Sequence, residues 1–234
     1  MQEIQYLTSY QIIRKLATGG MGSVYLAEQL GAEGFRKVVA IKTIKKEYLK
    51  NKENVDLFVG EAKLVADLIH ENVLQVYQLG QTKGIYYIVM EYAHGKNLAM
   101  DILGTLLDFV LHIDVHLADF VRAHKDRHKV CNVDIGAFVI SRVCRALHYA
   151  HEAKNMSGKQ LNIVHRDVTP SNVIITYGGV VKLTDFGIAK AVIMNTPDEA
   201  EVIMGKLPYM SPEQATFNAL DVDTRTDVYA LGVL

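Results

Sequence analysis

Residues 165–172 read His-Arg-Asp-Val-Thr-Pro-Ser-Asn (HRDVTPSN). Asp167 and Asn172 stand five apart, with Pro170 between them. Proline fixes φ and removes a backbone donor, so the stretch suits neither a helix interior nor a central strand. It predicts a loop that holds a carboxylate, a carboxamide and the Arg166 guanidinium close together.

The pattern on either side frames that loop. VIIT (173–176) and VVKL (180–183) predict two short strands split by the turn signal Tyr177-Gly178-Gly179. Upstream, residues 134–154 predict a helix through Ile135, Phe138, Val139, Arg142, Val143, Leu147 and Ala150, and residues 97–124 predict another. Downstream, 185–211 reads as a loop, and helices resume at 212–216 and 225–234. The first ninety residues differ. QIIRKLAT (11–18), SVYLAE (23–28), KVVAIKTI (37–44), VLQVYQLG (73–80) and IYYIVMEY (85–92) are β-branched or alternating runs. Between the third and fourth lies a helical repeat over 53–69, carried by Val55, Phe58, Val59, Ala62, Val65, Ala66 and Ile69. The sum is an α+β chain. A five-stranded, antiparallel-looking sheet with one helix precedes a joint near 91–96 and a mainly helical part.

Composition sets outer bounds. The chain has 234 residues, 50% hydrophobic and 22% charged, enough for a substantial core. A net charge of −1 gives no global basic field for nucleic acid. Cys131 and Cys144 are too few for a disulfide framework or a zinc site and suit a reducing, cytoplasmic setting. The N-terminus lacks a basic region followed by an apolar one, so no signal peptide is read. The most apolar window, 102–121, is interrupted by Asp108, His112, Asp114, His116 and Asp119 and is not read as a membrane span. A membrane anchor beyond Leu234 stays open.

Further polar positions fall in a meaningful order. ATGGMGSVY (17–25) clusters Gly19, Gly20 and Gly22 between the first two strands, where backbone N–H groups can approach a polyphosphate. Lys42 ends VAIK on the third strand, and Glu61 follows in the helix. Asp185 opens Asp-Phe-Gly thirteen residues after Asn172. Each alone has a plain structural reading: a hairpin turn, a snorkelling Lys, a solvated Glu. In this order, from about Tyr10 to Leu234, they resemble the protein kinase superfamily, with the flavour of bacterial Ser/Thr kinases.

The resemblance implies a two-lobed fold: an N-lobe over 1–90, a hinge over 91–96, and a C-lobe over 97–234 that is incomplete after the helix starting near 224. It implies ATP and Mg²⁺ as cofactors and a Ser/Thr protein substrate. Ala17, Gly19, Gly20 and Gly22 look like the glycine-rich loop, Lys42 the phosphate-binding Lys, and Glu61 its helix partner. Asp167 looks like the catalytic base, with Asn172 and Asp185 as metal ligands. By the same analogy Val24 and Ala40 would cover adenine from above and Ile174 from below. Met90 would stand behind it, and Glu91 to Ala93 would present backbone groups. Arg166 is placed to read a phosphate on the activation loop, for which Thr196 is the candidate acceptor. Asp227 looks like the helix Asp that supports the catalytic loop. The competing readings are an ATP-binding pseudokinase that acts as a scaffold and a small-molecule kinase.

Four departures qualify the resemblance. Ala17 replaces the loop's first Gly. Thr169 stands where Ser/Thr kinases usually carry Lys, and Lys206 where they carry Thr, which suggests a swap: Thr169 bonds Asp167 while Lys206 supplies the cation. Residues 99–116 form an extra stretch whose polar stripe includes His112, His116 and Asp108 and whose apolar face covers the C-lobe or docks a partner. Finally, the helices that would give Glu213 its usual Arg partner do not follow, which predicts a carboxylate without that partner.

Overall fold

A computed structural model of the chain describes residues 9–19, 22–98, 133–155, 157–186, 207–215 and 222–234. The chain divides into two compact units. One comprises Met1–Ala66 with Gln75–Tyr92, the other Asp67–Leu74 with Ala93–Leu234.

The first unit is a five-stranded antiparallel sheet with one helix. Strands β1 (Ser9–Thr18), β2 (Gly22–Leu30), β3 (Arg36–Ile44), β4 (Val76–Thr82) and β5 (Ile85–Glu91) lie in the order β1-β2-β3-β5-β4. Alternation sends side chains to both faces, and both carry apolar clusters. Ala27, Val39, Ile41 and Val89 pack on one side with Tyr10 and Tyr87. Ile44 and Ile88 pack on the other against Phe58 and Ala62 of helix α1 (Lys52–Val65). Asn51 caps α1 by accepting a hydrogen bond from the Glu53 amide at 2.8 Å.

Helix α1 ends at Val65, short of the 69 expected from periodicity, and Ile69 is 73% exposed. The reason is tertiary. Residues Asp67–Leu74 belong to the second unit, where the Leu183 amide donates to the Asn72 carbonyl and the Leu74 amide to the Leu183 carbonyl. That same docking moves the start of β4 from the expected 73 to Val76, because Val73 bridges Leu183 instead.

In the second unit, β6 (Gly95–Asn97), β7 (Val173–Thr176) and β8 (Val181–Leu183) form a small antiparallel sheet. Residue 97 thus closes a strand rather than opening a helix. A Cβ on Gly95 would lie 2.0 Å from the Ile175 carbonyl oxygen, so the pairing needs glycine there. Helix α2 (Val133–His151) buries Val139, Val143, Ala146, Leu147 and Ala150. Among the described residues two further helices follow, α3 (Pro212–Ala215) and α4 (Thr224–Val233). The extra stretch 99–116 lies outside the described residues.

Gly22 is a second position that packing reserves for glycine. A Cβ there would meet the Thr43 carbonyl oxygen at 2.4 Å, whereas one on Gly19 would find nothing nearer than 3.9 Å. Gly22→Ala is therefore expected to lower unfolding free energy by about 1–3 kcal/mol, as overpacking does. Gly19→Ala should stay within about 0.5 kcal/mol of the parent. Paired urea melts measure the difference.

Candidate active site

In the first unit, register brings the candidate side chains to one face. Val24 on β2 faces Ala17 on β1 and Lys42 on β3, and Ala40 faces Met90 on β5. Directly opposed residues share a face, as do residues two apart on one strand. Ala17, Val24, Ala40, Lys42 and Met90 therefore line the same side. The Lys42 ammonium meets the Glu61 carboxylate of α1 at 3.1 Å, with the side chains only 16% and 13% exposed. A largely buried pair of this kind fixes the ammonium, because each charge would be costly to bury alone. The Gly19 amide donates to the Gly22 carbonyl at 2.8 Å and tightens the turn between β1 and β2. Gly20 lies outside the described residues. The Glu91 amide donates to the Gln75 carbonyl at 2.9 Å, so that donor is already engaged.

In the second unit, the 165–172 stretch is a loop closed by a short turn at Pro170–Asn172. Asp167 is 6% exposed and Asn172 4%. The Asn172 amide group donates both to the Asp167 carboxylate at 2.6 Å and to the Asp167 carbonyl at 2.7 Å. That assigns Nδ2 to Asp167 and turns the Oδ1 of Asn172 elsewhere. The Thr184 amide donates to the Asn172 carbonyl at 2.9 Å, which seats Asp185 one residue along. Asp185 and Arg166 both adopt left-handed backbone, at φ 55 and 63. Asp167, Asn172, Arg166 and Asp185 are thus drawn together by backbone. Ile174 sits on β7, opposite Asn97, and Ala93 opens the second unit's later segment.

One buried carboxylate organises the loop. Asp227 of α4 is 0% exposed and accepts from the His165 amide, the Arg166 amide and the His151 ring Nε2, each at 2.8 Å. His165 adds a brace that sequence reading passed over. Its Nδ1 accepts from the Asp167 amide at 3.2 Å. Its Nε2 must then donate to the Thr184 carbonyl at 3.1 Å, which fixes the neutral tautomer. The ring also packs on Phe186, centroids 4.4 Å apart. His151 and Gln214 were likewise missed, because neither carries a local pattern. Only their distant partners mark them.

One expected contact differs. Thr169, 4% exposed, pairs its hydroxyl with Ser171 at 2.8 Å rather than with Asp167, and its carbonyl accepts from the Asn172 amide. The Asp167 carboxylate is met by Asn172 instead. Lys206, Thr196 and Gly187 lie outside the described residues. Glu213, expected to lack its usual Arg partner, accepts a hydrogen bond from the Thr226 hydroxyl at 2.6 Å. That bond, helped by its own backbone amide and the Ser211 hydroxyl, holds the Glu213 carboxyl below the usual carboxylate range.

Comparison with known proteins places this geometry. Residues 10–234 match the protein kinase domain model. The chain belongs to the protein kinase domain family. It is 41% identical to the tyrosine-protein kinase MasK of Myxococcus xanthus, over 96% of this chain and 31% of that protein. It is 33% identical to the serine/threonine-protein kinase PrkC of Bacillus subtilis, over 96% of this chain and 29% of that protein. Solved structures of the Mycobacterium tuberculosis PknI kinase domain superpose with a TM-score of 0.62 at 28% identity, covering 95% of this chain and 70% of theirs. The chain thus has a eukaryotic-like bacterial kinase fold and spans about a third of the length of the two curated relatives. No helix among the described residues of this kinase domain is long and apolar enough to cross a membrane.

The Glu213 bond yields a pH prediction. A carboxylate whose folded-state pKa is depressed stabilises the fold above its unfolded pKa of about 4.3. The gain fades as pH falls through the folded value. Replacing Thr226 by Val removes the main donor, so the Glu213 pKa should rise. Stability should then fall at neutral pH but converge with the parent in acid. Urea melts between pH 3 and pH 7 would show that convergence; a constant offset would contradict it.

Proposed function

We propose that this kinase domain transfers the γ-phosphate of ATP to Ser or Thr hydroxyls of proteins. The observation that carries the proposal is the Asp167–Asn172 clamp, held to Asp227 through the backbone of the loop between them. It is supported by the PrkC likeness and by the absence of a tyrosine-kinase-like catalytic loop in HRDVTPSN. Because MasK is named a tyrosine-protein kinase, the acceptor must be tested against Tyr as well.

The residues present fit ATP and Mg²⁺. Asn172 commits its Nδ2 to Asp167, so its neutral Oδ1, 3.5 Å from the Ser171 hydroxyl, keeps lone-pair capacity, while its main-chain carbonyl accepts from the Thr184 amide next to Asp185. A carboxylate and a neutral oxygen suit Mg²⁺, which takes one or two protein ligands and fills its shell with phosphate oxygens and water. Val24, Ala40 and Met90 offer an apolar surface on the face where Lys42 stands. When bound, Mg·ATP supplies the electrophilic γ-phosphorus and partial neutralisation of its charge.

The chain's own residues do the rest. Lys42, oriented by Glu61, would hold the α- and β-phosphates. The turn from Ala17 to Gly22 would cover them with backbone N–H groups. Backbone groups from Glu91 to Ala93 would meet the adenine edge, with Ile174 beneath. Asn172 and Asp185 would hold the metal. Asp167, its carboxylate steadied by Asn172, would accept the hydroxyl proton and aim the oxygen in line at phosphorus. The Arg166 Nε is buried without a hydrogen-bond partner among the described residues, which suits a group that reads an activation-loop phosphate. Thr169 serves this reading as a support of the Pro170–Asn172 turn, with Lys206 as the proposed cation.

The test is phosphoryl transfer from labelled ATP and Mg²⁺ to proteins bearing Ser, Thr or Tyr. Asp167→Asn should cut transfer about 10²–10⁴-fold yet keep the rise in melting temperature caused by Mg·ATP. Transfer that survives the substitution would refute the assignment of the base, and label found only on Tyr would refute the acceptor class.

A further inference from the structure

We propose that Gln214 is a positioning residue that fixes the peptide plane carrying Asp167. The inference rests on the reading of Asp167 as the base and extends it to a residue in α3. The Arg166 carbonyl and the Asp167 amide belong to one peptide group. Its oxygen accepts from the Gln214 side-chain amide at 2.9 Å, and its N–H donates to His165 Nδ1 at 3.2 Å. The plane is therefore held at both edges. The preceding peptide N–H, that of Arg166, is held by Asp227 at 2.8 Å.

Between these two planes Arg166 adopts φ 63, in the left-handed region. A non-glycine residue relaxes from that region unless its surroundings over-determine it. Rotating the 166–167 peptide is the direct route of relaxation, and it would swing Asp167. Gln214 blocks that route from the carbonyl side.

Gln214 is itself held in the orientation this needs. Its Oε1 accepts from the Ser211 amide at 3.1 Å and lies 3.4 Å from the Ser211 hydroxyl. The amide can therefore present only its NH₂ to the Arg166 carbonyl. Ser211 is fully buried and lies 3.4 Å from the buried Thr226 hydroxyl. The clamp therefore links the Ser-Pro-Glu-Gln segment to the loop that carries Asp167, so the order of that segment reaches the proton acceptor through one side chain.

Two substitutions in the full chain test this. Gln214→Glu keeps an acceptor for Ser211 but has no N–H for the carbonyl, and Gln214→Met keeps the length without either group. Initial rates against ATP concentration and amide exchange over 164–168 are measured for both. The expected result is a kcat fall of roughly 10- to 100-fold, as misplacement of a reacting group causes, with the KM for ATP unchanged. Exchange should quicken about tenfold within 164–168 alone. Unchanged kcat and exchange in both variants would overturn the proposal. So would a kcat loss accompanied by faster exchange across the whole second unit, since that marks general destabilisation. A wild-type chain without transfer would instead sink the kinase reading, and the exchange result would then decide the clamp by itself.

Discussion

Asp227 is a fully buried carboxylate with three N–H groups aimed at it. Burying an ionised carboxylate is costly unless its oxygens are satisfied, and charge-assisted donors are the strongest way to satisfy them. Two of these donors are consecutive backbone amides, so their directions dictate the backbone between α2 and β7. The left-handed Arg166 follows from that demand. Strain of about 1–3 kcal/mol at such a residue persists only where the neighbouring groups leave no alternative. Asp167 comes next in the chain, and Asn172 then closes the loop onto it. The chemistry proposed for Asp167 depends on an electrostatic commitment made by Asp227 on helix α4.

The first unit solves a smaller version of the same problem. Lys42 and Glu61 come from a strand and a helix that share the Ile44, Ile88, Phe58 and Ala62 cluster. Their pairing thus rides on apolar packing a few residues away. Loss of one partner would remove this contact from a largely buried charge, which is more damaging than the pair is stabilising.

Much of this was legible in the sequence, because the key residues are local or ordered. Alternation marked the five strands, and the sequence order of Gly22, Lys42, Glu61, Asp167, Asn172 and Asp185 pointed to the fold. What escaped notice is non-local. Val65 ends α1 because the following residues join the second unit, a fact with no signature in helical spacing. Thr169 was expected to bond Asp167, but Asn172 already meets that carboxylate and Thr169 turns to Ser171. The Thr226 hydroxyl that donates to Glu213 lies thirteen residues away and also carries no local signature. His151 and Gln214 are separated from their partners by 76 and 48 residues. A lone His or Gln carries no pattern that would single it out.

One buried carboxylate, Asp227, holds the loop that carries Asp167. Asp227→Asn tests it most directly, because it preserves shape while exchanging one acceptor oxygen for an NH₂ that must face a donor. The measurement is the rate of phosphate transfer from labelled Mg·ATP to a protein substrate at saturating nucleotide, on chain shown to be folded by circular dichroism. A loss of about 100-fold or more is expected, the scale of a misplaced reacting group. A folded variant that transfers phosphate at the parent rate would contradict it.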